Sequence, residues 1–113
     1  MAKIIYPDGT SKEVTPANGK YFSLKEKQDI VGGLIEICET TDPDGEHCLI
    51  INEEGKLEGL EYNPEATDLY KSHIWNGRLN DIIVGTAIYG KYSEFFEEDY
   101  KAARRAERES KKK

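Results

Sequence analysis

The chain has little from which to build metal or thiol chemistry. Its only cysteines are Cys38 and Cys48, and its only histidines are His47 and His73. A zinc site needs three or four ligands at matched spacing, which this set does not offer, so no metal and no cofactor is expected. Both cysteines read as small buried apolar residues with free thiols, as suits a reducing compartment. No apolar run approaches the ~20 residues of a membrane span. The start "MAKIIYPDG" turns polar too quickly for a signal peptide. A cytoplasmic protein without membrane contact is expected. Basic residues are scarce as well. Residues 1–92 hold 9 Lys and Arg against 16 Asp and Glu, while residues 93–113 hold 7 against 6. The net charge of −6 argues against direct nucleic-acid binding, because phosphates require Lys and Arg.

Catalytic patterns are missing too. His47 directly precedes Cys48, and adjacent strand residues point to opposite faces, so the imidazole is badly placed to activate the thiol. The acidic pairs read as solvated surface. No phosphate-binding glycine loop is present. Gly90-Lys91 before Ser93 resembles an anion-binding helix start, but Ser93 as a helix cap explains it more simply. Asp42, Asp44 and Glu46 in "TDPDGE" fit a hairpin turn, and the stretch is too short for a calcium-binding loop and lacks its distal Glu. The expectation is no catalytic residues and no enzyme.

What is present fits one domain in 113 residues. "AKIIYPDGTSKEVTP" predicts a hairpin turning at Pro7-Asp8-Gly9. Ser23 and Glu26 form a capping box for a helix that Gly32-Gly33 ends. Leu24, Lys27, Gln28 and Val31 share its face, with Ile30 beside them. "LIEICETTDPDGEHCLIIN" predicts a second hairpin, its "CLIIN" arm the more buried. Asn63 and Pro64 open a second helix, predicted to end near His73. "DIIVGTAIYG" predicts the last strand, with Gly85 at a bulge or close packing point. Residues 93–113 predict a charged helix with Phe96, Tyr100 and Ala103 on one face, and mobile last residues. The domain proper would be residues 1–92. The order β-β-α-β-β-α-β-α indicates an α+β fold. About five strands in an antiparallel or mixed sheet carry packed helices, and a β-grasp-like arrangement shares the opening order.

The string "INEEGKLEGLEYNPEATDLY", with "IIYPDG" before it and "IIVGTAIYG" after, resembles an uncharacterised family of small proteins. Its members occur in bacteria, bacteriophages and mobile elements and are described only as a domain of unknown function. The resemblance covers about residues 3–90 and rests on turn, cap and core positions, so it implies a fold and no chemistry. It also implies a context. Small accessory proteins of this origin often bind host proteins or signalling molecules, which makes the chain an anti-defence candidate.

One stretch stands out. "KSHIWNGRLN" holds the only tryptophan and the only arginine before position 104. Trp, Tyr and Arg dominate binding hot spots because they bury large rigid area and still make polar contacts. Tyr70, Lys71, His73, Trp75, Arg78 and Tyr92 are therefore the candidate binding residues. The alternative is that Ile74 and Trp75 plug the edge of the core while Lys71 and Arg78 are solvated. If the stretch is a site, it fits a host protein, or else a small nucleotide ligand held by a homo-oligomer.

Overall fold

The computed structural model describes residues 2–71 and 81–96, together with the backbone pairing of residues 74–75 with 78–79. Strands β1 (Ala2–Ile5) and β2 (Ser11–Val14) form the first hairpin. Helix α1 (Leu24–Val31) follows, then β3 (Ile35–Glu39), β4 (His47–Asn52) and helix α2 (Pro64–Leu69). Two short strands, β5 (Ile74–Trp75) and β6 (Arg78–Leu79), precede β7 (Ala87–Lys91) and helix α3 (Tyr92–Phe95). The main sheet has the order β2-β1-β7-β4-β3, and every pairing in it is antiparallel. The fold is α+β, as the sequence predicts. A β-grasp pairs its first and last strands in parallel, whereas β1 and β7 run antiparallel here, so that likeness ends with the opening order.

The sheet is covered on both faces. Ala2, Cys48, Ile50 and Ile88 pack with Phe22, Val31 and Phe95 on the side of α1 and α3. Ile5, Cys38, Leu49, Ile51 and Ala87 pack with Ala66 and Ile83 on the side of α2. Period-two alternation along β4 and β7 produces this division. It also separates the cysteines: Cys38 pairs with Leu49 and Cys48 with Glu39, and the two side chains, not joined by a disulfide, lie in different clusters.

Local chemistry sets the element ends. Ser23 accepts from the Glu26 N–H at 3.1 Å while Glu26 accepts from the Ser23 N–H at 2.9 Å, and Gly32 closes α1 at φ 85°. The buried stripe of α1 differs from the expected one. Leu24 is 56% exposed, and Lys27 is buried beside Val31. The Lys27 ammonium donates to the Phe95 carbonyl at 2.6 Å and lies 4.2 Å from the centre of the Phe96 ring, partners from α3 that one helix face cannot reveal.

The last strand is shorter than expected. Gly85 sits at φ 78° with the Leu60 side chain against it, where a β-carbon would come within 2.7 Å of that leucine. This bend divides β7 from Ile83, which packs in the α2 layer. Helix α2 ends at Leu69 rather than near His73, because Tyr70 turns extended. Helix α3 starts at Tyr92, so Ser93 lies inside it, and the Glu94 carboxylate caps it by accepting from the Lys91 N–H at 3.0 Å. Phe96 is extended, and the remainder of the expected C-terminal helix lies outside the described residues.

Candidate functional site

The candidate stretch begins where α2 meets the edge of the sheet. Asn63 caps α2 by accepting from the Ala66 N–H at 3.1 Å, and its amide donates to the Ile5 and Gly85 carbonyls at 2.9 Å each. The helix is thus tied to the sheet at its start. At its end Tyr70 adopts φ −72° and ψ 122° and forms an isolated antiparallel bridge with Thr40. Thr41 donates to the Leu69 carbonyl at 3.0 Å, and Lys71 donates to the Glu39 carbonyl at 2.9 Å. Tyr70 is half-buried against the α2-side core, and Lys71 is exposed with its ammonium 3.4 Å from a Glu39 carboxylate oxygen.

Beyond Lys71, β5 and β6 form a two-stranded ribbon separate from the main sheet. Its register sets Trp75 opposite Arg78 and Ile74 opposite Leu79. His73 lies outside the described residues, as do the side chains of Trp75 and Arg78. Tyr92 packs on the other face of the sheet, with the Phe22–Phe95 cluster, and its N–H donates to the Glu46 carbonyl at 2.9 Å. Tyr70 and Lys71 are therefore brought together at one edge, and Tyr92 is not brought to them.

Tyr70 also lines a cleft of about 280 Å³ floored by Cys38, Ile51 and Ile83. Glu36, Glu53 and Asp81 give it an acidic wall, and Lys56 is the one basic residue among the described residues that line it. Lys56 forms an ion pair with Asp81. Burial pushes the Asp81 carboxyl up, but the hydrogen bonds from Lys56 and from the Ile82 N–H outweigh it and hold the group below its usual range.

A second polar cluster was not singled out in the sequence. The ring of His47 stacks on Tyr89 with centroids 5.2 Å apart. The Tyr89 hydroxyl donates to Asp42 Oδ2 at 2.8 Å, and Thr40 Oγ1 donates to the same oxygen at 2.7 Å. Burial pushes the Tyr89 phenol up to about 12, and the Asp42 bond adds to the shift. His47 Nδ1 lies 2.9 Å from Asp44 Oδ2, an ion pair when the imidazole is protonated. The Glu46 N–H holds the Asp44 carboxyl below its usual range, with His47 contributing less. The phenol stays protonated and the imidazole points away from Cys48, so the cluster orders the β3–β4 turn and offers no activated nucleophile. Among the described residues no three His, Cys, Asp or Glu side chains gather as a metal site. Nor is any described helix long and apolar enough to cross a membrane. Only contacts between distant strands reveal this cluster. The signal available in the sequence was His47 and Tyr89 at alternate positions of paired strands.

A family model described as "Domain of unknown function (DUF3846)" matches residues 2–94, and the chain belongs to that family. No curated protein and no solved structure matches it.

Proposed function

We propose that this chain is a small non-enzymatic binding module, an accessory protein of a phage or other mobile element that binds a host protein in the cytoplasm. Its contact surface is the edge where Tyr70 and Lys71 meet β3, continued by the ribbon that pairs Trp75 with Arg78. The observation that carries this reading is the character of the cleft beside Tyr70. At about 280 Å³ it lies at the small end for small-molecule pockets. Its wall presents Glu36, Glu53 and Asp81, and its lysine is already paired with Asp81. Such a wall repels a nucleotide phosphate. The family resemblance supports the phage or mobile-element origin.

Arg78→Ala tests the reading. The variant should keep the wild-type melting temperature and lose a charge-assisted contact worth roughly 1.5–3 kcal/mol of binding. A host protein captured equally well by wild type and by Arg78→Ala would refute the surface.

A further inference from the structure

We infer that the open part of the β3 edge accepts an extended, cationic segment of the partner protein as an added strand. This rests on the protein-binding reading above and names the form in which the partner arrives. In an antiparallel strand both backbone groups of a residue point the same way, and neighbouring residues point oppositely. The Leu34 carbonyl accepts from the Glu53 N–H at 2.8 Å, across the register that pairs Glu36 with Ile51 and Cys38 with Leu49. The even-numbered residues of β3 thus face β4. Ile35, Ile37 and Glu39 turn their backbone groups to the outside of the sheet, where β3 is the terminal strand.

The chain itself has begun to fill that edge. Leu69 and Lys71 satisfy Thr41 and Glu39, as the first residues of a sixth strand would. Among the described residues the pairing is this single bridge. Among the described residues no strand continues it along Ile35 and Ile37. These two side chains are half-buried, and Leu34 next to them is 54% exposed. The other terminal strand, β2, is built differently: Ser11, Lys12 and Glu13 are all exposed and carry both signs of charge. That is how proteins blunt an edge against strand addition. The β3 edge carries charge of one sign only, Glu36 and Glu39.

Charge selects the occupant. The strand itself, "IEICE", has two carboxylates and no base; Glu39 is paired with Lys71, and Glu36 is exposed. Glu36 shares its face with Glu53 and Asp81 at the cleft. A second copy pairing edge to edge would set acid against acid. A segment that alternates apolar residues with Lys or Arg would lay its apolar side along Ile35 and Ile37 and its bases toward Glu36. Main-chain bonds then supply affinity and the alternating side chains specificity.

The test titrates the full chain with a synthetic ten-residue peptide alternating Val and Lys, and with the same peptide N-methylated at alternate amides. Amide hydrogen exchange is followed by NMR. The Ile35 and Ile37 amides should exchange fast in the free protein and slow by about tenfold or more at saturation. The N-methylated peptide should not bind. Glu36→Lys should weaken binding by about fivefold or more at an unchanged melting temperature. Four results would overturn the inference: no binding, equal binding of both peptides, Ile35 and Ile37 already protected in the free protein by its own chain, or protection that grows with protein concentration as in a dimer. The Arg78→Ala capture reads the parent proposal separately. Loss of the partner there, with a failed peptide titration, removes strand addition alone.

Discussion

Thr40 and Tyr70 face each other across an isolated antiparallel bridge that joins the end of α2 to the edge of the sheet. The two residues of this junction that belong to the candidate surface should behave differently. Lys71 makes an ion pair with Glu39 in which its own side chain is 64% exposed. Such a pair contributes about 0.5 kcal/mol or less, so Lys71→Ala should leave chemical denaturation almost unchanged and weaken partner binding. Tyr70 packs against the α2-side core while half-exposed, so Tyr70→Ala should cost about 1–2 kcal/mol of stability. Equal stability losses in the two variants would contradict the junction described.

Asn63 should be the most sensitive polar residue of the fold. Its side chain caps α2 and satisfies the Ile5 and Gly85 carbonyls together. Asn63→Ala should cost about 3 kcal/mol, a lost cap plus two buried carbonyls without a donor. Asn63→Asp keeps the cap acceptor but turns an oxygen toward those carbonyls, so it should be at least as damaging. A urea denaturation midpoint close to wild type for Asn63→Asp would refute this account.

The Tyr89 phenol should titrate late. Its value of about 12 in the folded chain lies above the ordinary value of 10.0. Between those values the folded chain keeps a proton that the unfolded chain releases, so this contribution to stability is complete below about pH 10 and is lost as pH rises toward about 12. The absorbance change of phenolate formation should show one tyrosine ionising later than in Tyr89→Phe. The variant should also lose less stability across that window. Identical alkaline titrations would contradict the burial of the phenol and its bond to Asp42.

How far the sequence foretold this fold can be judged residue by residue. Both hairpins, the Ser23–Glu26 capping box, the Gly32 cap and the Asn63-Pro64 helix start are local devices, and each is where the residues predict it. Lys27 lies on the face where the residues place it, but its partners, Phe95 and Phe96, lie far along the chain and are not legible there. The bend at Gly85 was legible as a packing point, but its neighbour Leu60 was not. At the candidate site Tyr70 and Lys71 were legible as types near a loop. Their attachment to Glu39 and Thr41 was not, because backbone bridges between distant segments leave no mark on composition. The same reason hid the open edge at Ile35 and Ile37.

Trp75 separates recognition from packing. A core tryptophan truncated to alanine costs about 3–5 kcal/mol. In this account Trp75→Ala should lower stability by about 1 kcal/mol or less, the range of a surface substitution, and abolish most of the binding. A thermal melt decides between the two without knowledge of the partner, and a large drop in melting temperature would assign Trp75 to the core.

The chain is proposed to bind a protein and not a small ligand. Native mass spectrometry of the protein isolated from the cells in which it naturally occurs measures this most directly. Protein binding should appear as a complex whose added mass is that of an intact protein and which Arg78→Ala dissociates. A chain, or an oligomer of it, that carries only the added mass of a small molecule would contradict it.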